Sequence, residues 1–147
     1  MAPMTISFTV LGRPEPQGSM RGFIQTARNG AQTARLTSAN SKMRPWRQEV
    51  GWEALRSRIA AGIDAPWDSS VAIKMTVLFV FVKPPSVKKS RIFPTVKPDL
   101  DKLLRAILDA CTGVIWRDDG QVVEIVSQKR YGLPESAEIK LEALNAK

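Results

Sequence analysis

The chain contains no histidine and a single cysteine, Cys111. Without imidazole there is no Ser-His or Cys-His nucleophile and no histidine metal ligand, so any catalysis must use carboxylates, lysine or an oxygen-held metal. One cysteine excludes an internal disulfide framework and a cysteine-based zinc site. Cys111 falls in a helical apolar stripe, where a small core residue is expected. Long apolar runs are missing too: the longest, residues 75–82, is far shorter than the ~20 residues a membrane helix needs. Nothing resembles a signal peptide, and the expectation is a cytoplasmic protein with no membrane association.

Acidic residues are outnumbered. Fourteen Asp and Glu face 22 Lys and Arg, a net charge of +8 on 147 residues. A basic surface attracts polyanions, nucleic acid first among them, although acidic lipid or mere solubility fits the same charge. The length suits one domain, residues 1–147, with a single buried core. The 44% hydrophobic content is that of a globular protein.

Residues 5–11 alternate polar with β-branched and apolar side chains and read as a strand. Gly12, Pro14, Pro16 and Gly18 then break the pattern. Residues 19–37 look irregular or hairpin-like, with Asn29-Gly30 offering a turn. Pro45 suits a first helical turn, and Trp46, Val50, Ala54, Leu55 and Ile59 recur at helical spacing up to Gly62. On that helix Arg44, Arg47, Glu49, Glu53, Arg56 and Arg58 are expected on the outer faces. Residues 71–82 are the strongest strand signal, with a nearly unbroken apolar end that predicts burial on both faces. A basic loop follows, and then a helix over 99–112. In that helix Leu100, Leu103, Leu104, Ile107, Leu108 and Cys111 fall within roughly 140° of one another, and Gly113 is placed to end it. Asp118-Asp119-Gly120 reads as a turn before a strand over 121–130. The alternating stretch 137–144 reads as an edge strand. The expected fold is α+β: one domain, a mixed sheet with two main helices packed on it.

Chemistry concentrates between Lys97 and Asp119. Asp99 and Asp101 stand at the mouth of the second helix, where an extended N-cap residue and a first-turn residue can converge. If the turn bearing Asp118 and Asp119 folds back beside that mouth, the carboxylates share one site. Uncompensated, such a group repels itself; a bound Mg²⁺ removes the cost and can position water in phosphodiester hydrolysis. Each half also has a plainer reading, Asp99 as an N-cap and Asp118-Asp119-Gly120 as a turn. Only their combination in a basic chain argues for a site.

The ordered set Lys97-Pro98-Asp99-Leu100-Asp101-Lys102-Leu103, Asp109-Ala110, Gly113 and Asp118-Asp119-Gly120-Gln121-Val122 resembles the RusA family of Holliday junction resolvases. Looser similarity runs from Gly12 to Arg21 and over Leu36-Thr37-Ser38. The resemblance implies a homodimeric endonuclease, dependent on Mg²⁺ (or Mn²⁺) and often prophage-encoded. Such an enzyme resolves four-way DNA junctions by paired symmetric nicks in recombination and repair. It casts Asp99, Asp101 and Asp119 as catalytic, metal-binding carboxylates and Asp118 as a fourth ligand. Two positions depart from the family pattern: Arg105 stands where a lysine is common, one turn after Asp101, and Lys102 where asparagine is usual. Arginine can neutralise phosphate charge but does not readily give up a proton.

For DNA contact the first choices are Lys88, Lys89, Arg91 and Lys97 in the basic loop, with Lys102 on the helix; Arg13, Arg21, Lys129 and Arg130 come after. Trp46, Trp52, Trp67 and Trp116 are too scattered to form a stacking platform, and core packing is expected of Trp116. The competing readings are a non-catalytic DNA-binding protein on the same fold, and a metal-dependent nuclease acting on other branched or RNA substrates.

Overall fold

The segment with the strongest apolar run lies in the middle of the sheet. In a computed structural model of the chain, β4 (Ile73–Phe81) is antiparallel to β6 (Ser136–Ala143) on one side and parallel to β5 (Val122–Tyr131) on the other. Beyond β6 lies β1 (Thr5–Leu11), also antiparallel, giving the order β1-β6-β4-β5. The structure describes residues 4–16, 20–26, 28–30, 32–38 and 43–145. A separate two-stranded sheet pairs β2 (Met20–Thr26) with β3 (Gln32–Ser38) around Asn29-Gly30, as the Asn-Gly signal predicts. Residues 17–19 of the N-terminal similarity, and the side chains of Arg21 and Arg44, lie outside the described set.

The mixed sheet and two helices agree with the α+β expectation, but two strand readings need correction. β4 is not fully buried on both faces: Ile73, Met75, Val77, Phe79 and Phe81 are buried, while Lys74, Thr76, Leu78 and Val80 are only half-buried. The core covers one face of the sheet, and the other carries polar partners such as Lys74 and Glu124, 3.4 Å apart on neighbouring strands. Nor is β6 an edge. It sits between β1 and β4, burying Ala137, Ile139, Leu141 and Ala143 and turning Glu138 and Lys140 outward. Its alternating charges mark the open face of a one-sided sheet, a pattern that an interior strand and an edge strand share.

The helices complete the second layer. α1 (Met43–Ala60) contributes Trp46, Val50 and Ala54 to the same core as the inner sheet face; Leu55 is half-buried, and Ile59, expected inside, is exposed. α1 ends where Gly62, at φ +76°, turns the chain so that Ile63 N–H can reach back to Arg58 O at 3.1 Å. α2 (Leu100–Cys111) buries Leu103, Ala106, Ile107, Ala110 and Cys111. The two alanines move its buried face away from the leucine stripe, so Leu100, Leu104 and Leu108 are only partly covered. α1 passes close to this face: a Cβ added at Gly51 would stand in ordinary contact, 3.7 Å from Ala110 O. Trp116 is fully buried, as expected, and its Nε1 donates to Thr112 Oγ1 at 3.0 Å.

Candidate functional site: two acidic ends of one helix

Asp99 has the extended backbone of an N-cap residue (φ −70°, ψ 139°), and its carbonyl accepts from Leu103 N–H at 3.1 Å. Its side chain accepts no capping hydrogen bond. Asp99 is thus the N-cap residue expected, but by its backbone alone, and the carboxylate is left facing solvent. Asp101, in the first turn, is exposed as well. Lys102 Nζ lies 3.9 Å from Asp99 Oδ2, a long, solvent-screened contact that only partly offsets the negative charge. Arg105 is exposed on α2 one turn beyond Asp101, and Asp109, a further turn on, lies 3.9 Å from Arg47 of α1.

The mouth of α2 is held from beneath by β5. Lys129 Nζ donates to Val96 O and Pro98 O, both at 2.9 Å. This lysine, ranked among the secondary DNA contacts by sequence, instead fixes the approach to Asp99. Arg13 is likewise engaged, 3.7 Å from Glu135 and over the Phe81 ring, and Arg130 Nε bonds Gln128 Oε1 at 2.8 Å. Lys88, Lys89, Arg91 and Lys97 are exposed on the loop between β4 and α2.

At the far end of α2 the chain turns at Gly113, and residues 119–121 form one 3₁₀ turn with Asp118 as its N-cap. Asp118 Oδ1 accepts from Gly120 N–H at 2.8 Å. Gln121, buried, closes the reciprocal half of the capping box: its Oε1 accepts from Arg117 N–H (2.9 Å) and Asp118 N–H (3.0 Å). Its Nε2 donates to Asp68 O (2.7 Å) and Val71 O (3.1 Å), locking the acidic turn to the segment before β4. Asp68 in turn accepts from the Ser70 hydroxyl and the Ser70 N–H, which hold its carboxyl below its ordinary value; desolvation opposes this, and nearby Arg117 adds a smaller lowering. Asp119 is exposed. Sequence reasoning quoted Gln121 only within the family motif and gave it no structural role; its place three residues after Asp118, the capping-box spacing, was the signal for that role.

The two acidic pairs do not meet within one chain, contrary to the expectation that the turn folds back beside the helix mouth. They sit at opposite ends of α2, whose 12 residues span about 18 Å. The reason is topological: β5 runs parallel to β4, so α2 must carry the chain back along the sheet before β5 can start. Among the described residues no three acidic or cysteine side chains come close enough to hold a metal. Each end presents two carboxylates, which are hard oxygen donors.

Carboxylates stand at both ends of α2, next to a cationic loop, and these are residue types that metal-dependent nucleases use. The comparison with known families agrees. Residues 14–142 match the family described as Endodeoxyribonuclease RusA, and the chain belongs to that family. It is also 32% identical over 145 residues to a Bacillus subtilis (strain 168) protein named Uncharacterized protein YqaN, covering 96% of this chain and 98% of that one. Among the described residues no helix is long and apolar enough to cross a membrane.

Proposed function

We propose that the protein resolves four-way DNA junctions by paired symmetric nicks, as a Mg²⁺-dependent homodimer in which each active site is assembled from two chains. The observation that carries this reading is the separation of the acidic pairs along α2 combined with the character of β5. That strand is an edge of the sheet, yet Val123 is 63% exposed and Ile125 and Val126 are also uncovered. Exposed apolar edge strands invite pairing with another chain. If two copies pair antiparallel through β5, the start of one strand lies beside the end of the other. Asp118 and Asp119 of one copy then approach Asp99 and Asp101 of the partner copy, and the two-fold axis makes two equivalent sites.

In that arrangement Asp99, Asp101, Asp118 and Asp119 would hold the metal, which supplies charge neutralisation and Lewis acidity to the scissile phosphate. Gln121 and Lys129 position the two halves. Arg105 faces the phosphate charge as a cation, and Lys88, Lys89, Arg91, Lys97 and Lys102 grip the backbones of the arms. A two-fold pair of sites suits a four-way junction, which itself offers two equivalent strands for cleavage.

The test is incubation with synthetic four-way junctions, linear duplexes, single strands and RNA, with and without Mg²⁺. Paired, symmetry-related nicks confined to junctions and dependent on the metal are expected. Metal-independent binding without cleavage would leave a DNA-binding protein that has lost its chemistry. Cutting of RNA or linear DNA at equal rates would replace the junction reading with a broader nuclease.

A further inference from the structure

We propose that Phe93, with Ile92 beside it, is an apolar wedge that stacks on bases uncovered at the branch point of the DNA substrate. The inference rests on the branched-DNA reading above and adds a recognition element that none of the acidic or basic residues provides.

Ile92 is 72% exposed, Phe93 58% and Val96 46%, all within one short stretch of the loop between β4 and α2. Single exposed apolar side chains need no explanation, but three within five residues, two of them lining one hollow, call for one. The loop that carries them is tied down. Turn hydrogen bonds close at Val87 N to Pro84 O (3.0 Å), Arg91 N to Lys88 O (3.0 Å) and Thr95 N to Phe93 O (2.9 Å). Lys83 Nζ reaches Lys89 O at 3.4 Å, Pro94 is buried, and Lys129 holds Val96 O and Pro98 O. Phe93 is thus presented on a fixed rim. It borders the same open hollow as Asp99 and Lys129, so the aromatic ring and the catalytic carboxylate face one space.

The charge around the patch selects its partner. Lys88, Lys89 and Arg91 are exposed immediately before it and Lys97 immediately after. A ligand with dense negative charge and flat apolar faces satisfies both features, and nucleic acid has both in its phosphates and bases. In an unbroken duplex the base faces are covered by their neighbours and must be pried apart. At a branch point they are already partly uncovered, so inserting a side chain costs less there. A wedge set beside the carboxylates therefore favours branched over linear DNA, and places the phosphate next to the distorted step at the site of cleavage.

The experiment uses the full chain in EDTA, where binding proceeds without cleavage, and a four-way junction with 2-aminopurine next to the branch point. Wild-type protein is expected to raise the 2-aminopurine fluorescence on binding. Phe93→Ala is expected to abolish the rise and to weaken junction affinity about tenfold or more while leaving linear-duplex affinity unchanged. Phe93→Tyr, which keeps the aromatic face, is expected to restore both, and circular dichroism confirms that each variant folds. Phe93→Ala with undiminished fluorescence change and affinity overturns the wedge; so does an equal loss on junction and duplex, which would make Phe93 a general contact. Wild-type protein that nicks junctions without a fluorescence rise sinks the wedge alone. Wild-type protein that neither prefers nor cuts junctions sinks the branched-DNA reading beneath it.

Discussion

The carboxylate of Asp99 caps nothing, whereas that of Asp118 is spent on its own turn. The two residues look alike in sequence as helix and turn starters, and the structure separates them. A side chain that stabilises no local structure in the free chain can be replaced without unfolding the protein. The same holds for exposed Asp101 in the first turn. We therefore expect Asp101→Asn to reduce junction cleavage by at least a hundredfold while melting temperature and junction binding stay within error of wild type; unchanged cleavage would remove Asp101 from the site. Cys111 makes the contrasting case of a group whose chemistry burial suppresses. Full burial pushes its thiol from an ordinary 9.0 up to about 12. The folded state thus favours the neutral thiol, so this contribution to stability is complete below pH 9 and is lost as pH rises from 9 towards 12. Denaturant unfolding of wild type and Cys111→Ala across pH 8–11 is expected to show wild-type stability falling more steeply above pH 9. Parallel curves would mean that the thiol ionises without cost in the core.

The 3₁₀ turn before β5 shows how one polar side chain can govern an element. Gln121 satisfies two backbone donors and two backbone acceptors drawn from segments about fifty residues apart in sequence. Gln121→Leu fills similar volume but takes the partner from those part-buried groups, at about 1–3 kcal/mol for each group that water cannot reach. The expected result is a loss of about 2–4 kcal/mol in urea unfolding, together with a fall in cleavage that added Mg²⁺ does not restore. Wild-type stability in this variant would show that the turn holds without its clamp. Local signals of this kind divide what sequence can and cannot tell. β4 and α2 were legible because apolar periodicity is written within each segment, and Asp118-Asp119-Gly120 was legible as a turn from its residue types. The interior position of β6 was not, because edge and interior strands of a one-sided sheet share one alternation and differ only in distant partners. The same holds for Lys129, and for Arg58, expected on an outer face. Arg58 instead donates to Val114 O at 2.7 Å and Ile63 O at 3.2 Å, tying the end of α1 to the end of α2. The four acidic candidates were readable as residues but not as a constellation, since their spacing is set by the direction in which α2 returns along the sheet.

At the scale of the whole molecule, that return path decides what a functional site must contain. On the proposed reading, two carboxylates at one end of α2 and two at the other leave each end short of ligands in an isolated chain, and pairing through the exposed edge of β5 would join the ends of two chains. The arrangement can be tested by complementation. One variant carries Asp99→Asn and Asp101→Asn, the other Asp118→Asn and Asp119→Asn, and each alone is expected to be inactive. If sites are built between chains, a mixed dimer has one site that draws all four aspartates from intact halves and one site with none. Mixing the variants, with brief partial unfolding to exchange chains, should therefore restore nicking of one junction strand to as much as half of the mixed population without restoring the paired second cut. If instead each chain holds its own site, no combination recovers any nicking, because every site keeps one damaged half. A single nick per junction in the mixture is a result that composite sites predict and self-contained sites forbid.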